Sequence, residues 1–570
     1  MTTQYHQART IVLLTLAMCW TASIGVASAG NILAVFPHYG YSHFRVVQPL
    51  LSELAQRGHH VTVISYVKNP LAAQLPNYEQ LLTSDANDDQ AATTINVVPL
   101  TEHTPTRSLP VLLEEYYSLF SEGQSTCRRL YESGHVATVL QRHKEQPYDL
   151  LLTEYFSRDC QLSLAKLMQL PVIGVSTCAL MPYFYDRIDL PDNPAYVQSE
   201  FVGFAQPLQW HERLLNFVQA KLLKLLFKLH TQRADQQLIK QHLGVDIDVD
   251  EVAREQTAFI LVNQHYSHMG SRPATPQLIE VGGMHITSAI KQQLPQEVAQ
   301  FLEQSPQGVI FISWGSMVRA SSIDADKLQA MLQVLSQQPL NVIWKWETDE
   351  HPDVDAGKFL FVKWAPQLAL LCKYNESKCN CYRLFCICKS SNVFYICPGQ
   401  PRVKVFWAHA GLLGMTEALH CGKPMLMTPI YGDQFLNAFA AQQRGVGLKL
   451  DYEQIDASVL QETLQELSHV GYAERAEKLA QVFNGRQRTP LESAIWSVEH
   501  VLQHGLLAAK LLQSPGIELN WFIYHSLDSI ALIALLGLLI VVSWRALFPA
   551  HSKRQSRAQT QRRAGKPSRK

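Results

Sequence analysis

Short apolar runs alternate with helical patterns along most of this 570-residue chain, and this alternation limits the fold more than any other feature. The segment NILAVFP is followed by the amphipathic stretch HFRVVQPLLSELAQRG and then by a second apolar run, HHVTVIS. Gly58 is suited to end the intervening helix. Near-continuous apolar strands separated by helices are typical of parallel sheets that are covered on both faces. The sequence therefore predicts an α/β fold.

The same alternation returns in a second set of segments, which begins at GVIFISWGS and continues through NVIWKWE, KFLFVKWAP, VKVFWAH and PMLMTPI. With 47% hydrophobic residues, a chain of this length can fill two hydrophobic cores. We expect two α/β domains, residues 30–285 and residues 286–515. No GxGxxG follows the first strand, which counts against a dinucleotide-dependent dehydrogenase.

Both ends of the chain carry segments typical of a membrane protein. Residues 1–29 combine a basic start, an apolar run and an A-x-A sequence, the pattern of a cleavable signal peptide, with an uncleaved anchor as the alternative. Residues 521–548 are apolar enough to span a bilayer, although Asp528 weakens the pattern. Residues 549–570 are rich in Lys and Arg and contain no acid, which favours the cytosol. These features predict a single-pass type I protein with a lumenal body and a basic cytosolic tail.

Two further segments leave alternatives open. Residues 208–229 form an apolar helix with lysines along one face, which fits either a membrane interface or a helix packed over the first domain's core. Residues 246–250, DIDVD, suggest a metal site, but Glu251 stands where an EF-hand loop needs Gly. A solvated turn is the simpler interpretation of DIDVD, and a metal-dependent glycosyltransferase is the alternative.

The most informative block is HAGLLGMTEALHCGKPMLMTPIYGDQ, residues 409–434. It offers a histidine at a strand end, two glycines that open a helix, an acid one turn further on, and an acid–amide pair after the next strand. Free N–H groups and the dipole at a helix start favour a pyrophosphate, and the acids suit ribose and sugar hydroxyls. The residues concerned are His409, Gly411, Gly414, Glu417, Asp433 and Gln434.

Together with WAPQ at residues 364–367, this block resembles the signature of the UDP-glycosyltransferase family, the membrane-bound detoxifying enzymes of animals. The resemblance extends to YSHF at residues 41–44, RGHHVTVIS, SRPATPQLIEVGG, WGSMV and TPLESAIW, and it points to invertebrate members. It implies the GT-B fold, in which two Rossmann-like domains face each other. The first domain would bind the acceptor and the second the UDP-sugar. Ala410 departs from the family, which commonly has Gly at this position.

The resemblance also implies roles for single residues in donor binding. Trp364 would stack on uracil, and Gln367 would bind the uridine. Glu417 would bind the ribose, while the acid–amide pair would hold the sugar. The residues implied for the diphosphate are Ser316, His409, Gly411 and, from the far side of the cleft, Arg272.

His43 in YSHF matches the family's catalytic base, with His38 as a nearby competitor. Imidazole titrates near neutrality and can take the proton of an attacking hydroxyl. A carboxylate should orient the imidazole, and both Glu154 and Asp159 remain candidates for this role. The predicted mechanism is direct displacement with inversion, in which the helix dipole and His409 replace a metal. No cofactor is expected besides the UDP-sugar as co-substrate.

Residues 372–400 contain six of the eleven cysteines. Deleting residues 373–399 leaves LALLCQPRVKVFWAH, which continues the family pattern, and the ends of the segment can be encoded as splice sites. We therefore interpret residues 373–399 as a translated, retained intron that either protrudes or damages the donor pocket. The alternative is a genuine Cys-rich loop with zinc or disulfides, although its C-x-C spacing is unlike that of zinc sites.

We thus expect a UDP-glycosyltransferase of the endoplasmic reticulum membrane that conjugates small lipophilic acceptors in the lumen. The invertebrate likeness favours UDP-glucose as donor, with UDP-glucuronate as the alternative. A second hypothesis is a catalytically impaired, membrane-tethered lipophile-binding protein of the same fold. The expected partners are the UDP-sugar, the acceptor and membrane lipid, and a homo-oligomer stays open. The formal net charge of zero gives no indication of nucleic acid binding.

Overall fold

The computed structural model describes residues 29–84, 98–100, 109–199, 201–204, 206–286, 292–372, 381–382, 385–386 and 399–548. The predicted signal peptide up to residue 28, the basic tail and most of the Cys-rich segment 373–399 lie outside these residues. The chain forms two compact units, Met1–Gln513 and Ser514–Lys570. The first unit contains both predicted α/β domains.

Seven parallel strands form the first sheet. In spatial order they are Tyr78–Leu82, His60–Ser65, Asn31–Phe36, Leu150–Glu154, Val172–Ser176, Thr257–Val262 and Leu278–Glu280. Successive residues of the strand Asn31–Phe36 enter different cores, since Leu33 and Val35 belong to one cluster and Ile32 and Ala34 to another. Both faces of the sheet are therefore covered, as a parallel sheet requires.

Six parallel strands form the second sheet. In spatial order they are Phe359–Val362, Asn341–Lys345, Val309–Ser313, Val403–Ala408, Met425–Met427 and Gly447–Lys449. Here too the strand Val309–Ser313 alternates between two cores, with Phe311 in one and Ile312 in the other. The two sheets confirm the predicted α/β class.

Helices connect the strands of both sheets. Those of the first half are Tyr41–Gln56, Leu109–Glu132, His135–Glu145, Leu162–Met168, Trp210–Leu226 with the π-helical turn Phe227–Thr231, Gln232–Leu243, Val249–Gln256 and Tyr266–Met269. Those of the second half are Gln296–Glu303, Ala325–Gln337, Gln367–Leu371, Leu412–His420, Gln434–Gln443, Ala457–Leu467, Val470–Asn484, Pro490–His504 and Leu506–Leu512.

The last two of these helices return to the first sheet. Leu491, Ile495 and Val498 of Pro490–His504 are buried in the same core cluster as Ile32. Arg57 of the first half also pairs with Glu499, at 3.2 Å between Nη1 and Oε1. The predicted domain 286–515 is therefore continuous in sequence, but its last two helices pack in a core of the first half.

The second unit contains the short helix Trp521–Tyr524 and the helix Leu527–Leu547. The latter has 21 residues with a mean hydropathy of 2.4 over its most apolar window, so by length and composition it can cross a membrane. The sequence predicts one segment over 521–548, whereas Ser526 adopts a left-handed conformation with φ of 54° and separates the two helices.

Two disulfides, which the sequence analysis does not predict, join described residues. Cys127 pairs with Cys160 in the first half, and Cys372 pairs with Cys421 in the second. The second disulfide lies at the ends of the Cys-rich segment, because Cys372 also forms an antiparallel bridge with Gly399. Disulfides are typical of oxidising compartments.

Candidate active site

Loops that follow strands of both sheets enclose one cleft of about 860 Å³. Ligand sites of open α/β sheets form at the carboxyl ends of parallel strands, where these loops lie. Most residues predicted for the site line this cleft. They are His43, Ser316, Trp364, Gln367, His409, Gly411, Gly414, Glu417, Asp433 and Gln434.

His43 lies in the first turn of the helix Tyr41–Gln56 and contacts the ends of two neighbouring strands. Its Nδ1 is 2.6 Å from Oε1 of Glu154, the last residue of one strand, and 2.8 Å from Oγ1 of Thr177, which follows the next strand. Thr177 also donates a hydrogen bond of 2.7 Å to the same oxygen of Glu154. A proton on Nδ1 that is directed at Glu154 leaves Nε2 as the basic atom.

Glu154 is suited to stabilise a charged imidazole. Its burial alone would raise the pKa of its carboxyl, but the charge of His43 and the hydrogen bonds from His43 and Thr177 lower this pKa below its ordinary value. Glu154 therefore stays ionised at neutral pH. Thr177 was not predicted from the sequence, because a Thr after a strand is not distinctive without its neighbours.

The structure does not bring Asp159, the other candidate acid, to His43. Oδ2 of Asp159 instead accepts hydrogen bonds from Arg187 Nη2 and from Gln232 Nε2, the latter at 3.0 Å. The carboxyl is fully buried, and its ion pair with Arg187 compensates for the loss of water. Because the chain turns away from the sheet after Glu154, five residues carry Asp159 into the interior of the first half. Asp159 is corrected to a structural residue.

His38, the competitor of His43, is placed beside it as a neutral neighbour. Its Nδ1 accepts the N–H of Gly40 at 2.9 Å, and its ring stacks on that of His43 with the centroids 4.4 Å apart. Burial and repulsion by His43 lower the pKa of His38 to about 3. The rings of His38 and His43 are inclined by 22° and so stack nearly parallel.

The end of the cleft that is predicted to take the nucleotide combines an exposed ring with a hydrogen-bonded pair. Trp364 is 59% exposed and lies edge-on to Tyr41, with the centroids 6.4 Å apart. Gln367 Nε2 donates a 2.7 Å hydrogen bond to Oε2 of Glu417. Burial raises the pKa of Glu417 to about 7, although this hydrogen bond acts in the opposite direction. The carboxyl of Glu417 thus titrates near neutral pH.

The helix Leu412–His420 begins beside His409, with Gly411 as its N-cap residue. A Cβ at Gly411 would lie 2.3 Å from Nε2 of His409, so only glycine permits this close approach. Burial and the charge of Lys345 lower the pKa of His409 to about 4. His409 is therefore a neutral N–H donor at pH 7 and carries no full positive charge.

Lys345 brings a basic side chain to this part of the cleft. It ends the strand Asn341–Lys345, lines the cleft and pairs with Glu347 at 3.0 Å. Lys345 was not predicted from the sequence, although its place at the carboxyl end of a predicted strand was a usable signal.

The opposite end of the cleft carries the acid–amide pair. Oε1 of Gln434 accepts the N–H groups of Ile430 and Tyr431, at 2.8 and 3.2 Å, and its side chain also hydrogen-bonds to that of Tyr431. Burial raises the pKa of Asp433, and the charge of His43 acts against this rise. His43 and Asp433 both line the cleft, one from each half of the chain.

Two further acids from the helix Leu109–Glu132 face this end, and the sequence analysis missed them. Oε1 of Glu115 accepts the N–H of Gly432 at 3.3 Å, next to Asp433. Burial raises the pKa of Glu122, which is hydrogen-bonded to Tyr39 and lies near His43. Both acids come from the first half, whereas Asp433 comes from the second.

Arg272 is absent from the residues that line the cleft in the described part of the chain. Its Nη1 donates to the hydroxyl of Tyr185 at 2.8 Å, and its guanidinium lies 4.5 Å from the centre of that ring. Its implied role at the diphosphate stays a prediction.

The DIDVD segment lies away from the cleft and forms a helix cap. Oδ1 of Asp248 accepts the N–H groups of Asp250 and Glu251 at the start of the helix Val249–Gln256. Asp246 pairs with Lys240, and Asp250 pairs with Lys228. This geometry agrees with the simpler interpretation of a solvated turn.

Two parallel α/β sheets whose loops enclose one cleft, with a histidine on one side and a helix start on the other, define a GT-B glycosyltransferase. The sequence profile of the UDP-glucoronosyl and UDP-glucosyl transferase family matches residues 30–376 and 397–554, and the chain belongs to this family. It is therefore an enzyme that transfers a sugar from a UDP-sugar. The unmatched residues 377–396 fall inside the segment 373–399.

Relatives match nearly the whole chain. UDP-glycosyltransferase UGT5 of Dactylopius coccus is 30% identical over 518 residues, which cover 90% of each chain. UDP-glucuronosyltransferase 1A9 of Homo sapiens is 26% identical over 531 residues, which cover 91% of each chain. A solved UDP-glucosyltransferase from Polygonum tinctorium, capable of glucosylating indoxyl, shares the fold with a TM-score of 0.52 at 13% identity, covering 83% of this chain and 99% of that one.

Proposed function

We propose that the protein transfers a neutral hexose, with glucose as the first candidate, from its UDP-sugar to a hydroxyl of a small lipophilic acceptor. The observation that carries this proposal is the position of the His43–Glu154 pair in the same cleft as Asp433 and the start of the helix Leu412–His420. A base and a donor site are thus held on opposite sides of one cavity.

In the proposed mechanism, Nε2 of His43 takes the proton of the acceptor hydroxyl as its oxygen attacks the anomeric carbon. The bond from that carbon to the diphosphate oxygen breaks, and UDP leaves from the opposite side, which inverts the configuration. Glu154 stabilises the resulting imidazolium. The N–H groups at the helix start, the neutral N–H of His409 and the charge of Lys345 stabilise the leaving diphosphate. The proposal requires no metal.

The charges at the sugar end support a neutral sugar. Glu115, Glu122 and Asp433 all face this region, and their carboxyls would repel the carboxylate of a glucuronate. The same carboxyls can accept hydrogen bonds from the hydroxyls of a hexose. UDP-glucuronate is thus the less suitable donor on charge alone.

The acceptor class follows from the wall of the cleft beside His43. Val111, Leu119, Phe156 and Phe201 contribute apolar surface to it. The ring of Phe156 lies edge-on to that of His43, with the centroids 4.6 Å apart. An apolar wall next to a base favours phenols and similar lipophilic alcohols.

The location that we propose is a membrane of the secretory pathway, with the catalytic unit in the lumen. The helix Leu527–Leu547 is suited to span the bilayer, and the two disulfides suit an oxidising lumen. Within that pathway, the endoplasmic reticulum, which the resemblance in the sequence implies, is the first candidate.

The experiment that tests this function compares UDP-glucose with UDP-glucuronate in the presence of a phenol panel. We expect UDP release with UDP-glucose, no activity with UDP-glucuronate, and no effect of a chelator. The product should carry the inverted β-configuration by NMR. An α-linked product or a preference for UDP-glucuronate would contradict the proposal.

A further inference from the structure

His285 is a buried histidine in the segment that joins the two halves of the chain, and the mechanism proposed above does not use it. It lines the cleft and is 7% exposed. Both of its ring nitrogens are buried, and neither has a hydrogen-bond partner among the described residues. Buried polar groups are nearly always hydrogen-bonded, so an exception in the wall of a ligand cleft requires an explanation.

The first half of the protein holds His285 in place. After the strand Leu278–Glu280 the chain makes a turn in which the N–H of Met284 donates to the carbonyl of Val281 at 2.9 Å. Val281 and Met284 are both buried in a core cluster on one face of the first sheet. Gly283 lies between them with φ of 92°, a conformation that favours glycine. The position of His285, which follows directly, is therefore set by this turn.

The imidazole of His285 lies beside a carboxyl group from the other half. Its Nε2 is 3.6 Å from Oε1 of Glu417, on the helix Leu412–His420. The other oxygen, Oε2, already accepts the 2.7 Å hydrogen bond from Gln367. A separation of 3.6 Å is too long for a hydrogen bond, and a shortening of about 0.7 Å would bring it to the usual 2.9 Å. A small movement therefore makes His285 a second donor to Glu417.

His285 takes part in this contact as a neutral group. Burial lowers the pKa of His285 to about 3, and Arg45 and His420 act in the same direction. An interaction with the backbone of Leu413 acts against them. Arg45, which also lines the cleft, opposes the rise in the pKa of Glu417. A neutral imidazole has one N–H to donate, and its donation to Glu417 favours the ionised carboxylate.

Two donors would give the carboxylate of Glu417 a defined orientation. A carboxylate has two oxygens with about four lone-pair sites. With Gln367 on Oε2 and His285 on Oε1, each oxygen keeps a site for a ligand in the cleft. Two neighbouring hydroxyls, such as those of a ribose, require such a pair of acceptors. The two protein donors thus suit the binding of a diol.

We propose that His285 is a positioning residue for the donor nucleotide: its Nε2–H donates to Oε1 of Glu417 when the ribose binds. The carboxylate is then held between Gln367 and His285 and accepts hydrogen bonds from the two ribose hydroxyls. This inference rests on the proposed role of Glu417 in binding the UDP-sugar and extends it to the segment that joins the halves. His285 acts through Glu417 and does not touch the reacting atoms.

The test measures the Kd of UDP-glucose by calorimetry between pH 6 and pH 9, with the full chain in lipid nanodiscs. His285→Phe keeps a ring but removes the donor. His285→Gln places an amide N–H near the position of Nε2, whereas the shorter His285→Asn places one near Nδ1 and does not reach Glu417. The Gln and Asn variants are similarly polar, so they separate a specific donor from a polar side chain of any kind.

We expect His285→Phe to move the pH midpoint of UDP-glucose binding upward by about one pH unit, because the carboxylate of Glu417 loses a donor. At pH 7 the ionised fraction of Glu417 then falls from about a half to about a tenth, and the Kd rises about fivefold. His285→Gln should behave as the wild type and His285→Asn as His285→Phe. An unchanged or lowered midpoint in His285→Phe would overturn the proposal, and so would equal behaviour of the Gln and Asn variants.

Glu417→Gln distinguishes a positioning role from a structural one. In this background His285→Phe should change the Kd by less than about twofold, because a hydrogen bond to a neutral amide is weaker than one to a carboxylate. An equal loss of affinity in both backgrounds would mean that His285 only supports the fold, and would overturn the proposal.

The wild type separates this inference from the proposed function. If the wild type did not bind UDP-glucose, the proposed donor would be wrong and this inference with it. If the wild type bound UDP-glucose and His285→Phe kept its pH midpoint, the inference alone would be wrong.

Discussion

Two acids that lie five residues apart in the sequence have different environments in the fold. Glu154 ends its strand and meets His43 at the cleft, whereas Asp159 is buried against Arg187. The sequence alone could not show which acid pairs with His43, because both lie at or after the carboxyl end of the same apolar strand. Only the path of the chain after the strand, which depends on tertiary packing, assigns the two roles.

This difference predicts opposite phenotypes for two conservative substitutions. Glu154→Gln should lower kcat by about 100-fold or more, because the imidazolium loses its counter-charge, and should leave the melting temperature nearly unchanged. Asp159→Asn should leave a buried guanidinium without its charge partner and lower stability by about 3 kcal/mol. Steady-state kinetics and thermal unfolding measure the two effects. If Asp159→Asn abolished turnover in a protein as stable as the wild type, our assignment would be wrong.

The raised pKa of Glu417 predicts a pH dependence of donor binding. Because this pKa is about 7, Glu417 is mostly protonated at pH 6 and ionised at pH 8. Ribose hydroxyls donate to the ionised form, so UDP-glucose, whose diphosphate does not titrate in this range, should bind about tenfold more tightly at pH 8 than at pH 6. Calorimetry checks this, with Glu417→Gln as the control that should show no such dependence. An equal dependence in both proteins would exclude Glu417 as its source.

At the scale of secondary structure, strands with continuous apolar runs were predictable from the sequence. NILAVFP and HHVTVIS correspond to Asn31–Phe36 and His60–Ser65. The edge strand Tyr78–Leu82 has only partly buried or exposed residues, so its sequence, YEQLL, gives no such run. Edge strands follow from pairing with a neighbour, which a single sequence does not display.

The turn before the helix Leu412–His420 carries backbone strain. Ala410 is fully buried and has φ of 62°, a left-handed conformation that costs an L-residue with a Cβ about 1–2 kcal/mol. The departure from glycine noted in the sequence thus falls on the residue that orients His409 and Gly411. This strain should lower the free energy of unfolding, which a substitution at Ala410 can test.

We predict that Ala410→Gly stabilises the protein by up to about 1 kcal/mol, since relief of strain exceeds the extra entropy of glycine in the unfolded chain. Thermal unfolding of the two proteins measures the difference, and turnover should be retained. Ala508→Gly, at a buried helical position, is the control and should destabilise. A lower melting temperature for Ala410→Gly would show that the turn is not strained.

At the scale of the whole molecule, the chain order does not reveal how the halves are joined. The helix Pro490–His504 is amphipathic in either context, and its sequence does not say which sheet it covers. The acids Glu115 and Glu122 likewise reach the sugar end from the other half of the chain. The cleft residues of the second half were predictable because they lie in one continuous block, whereas those contributed across the cleft were not.

The Cys-rich segment should be dispensable. Cys372 and Gly399 face each other as an antiparallel bridge, and the N–H of Gln400 donates to the carbonyl of Leu371 at 2.7 Å, so the ends of the segment already meet. Removal of residues 373–399 keeps both Cys372 and its partner Cys421.

We predict that the protein without residues 373–399 folds, retains this disulfide and turns over UDP-glucose at least as fast as the full chain. Equal rates mean that the segment protrudes harmlessly, and a faster deletion form means that it damages the donor pocket. Loss of activity on deletion would contradict the intron hypothesis. Transcript sequencing tests the same hypothesis directly, since every mRNA would carry the segment if it were coding.

The most direct test of the proposed catalysis is UDP release from UDP-glucose with a phenol panel, for the wild type and for His43→Ala. We predict that His43→Ala lowers kcat by about 1000-fold, within the range for loss of a general base, while the Kd for UDP-glucose stays unchanged. His60→Ala, at an exposed histidine outside the cleft, should behave as the wild type. Wild-type turnover in His43→Ala would contradict the claim that this imidazole acts on a sugar diphosphate held by the other half of the protein.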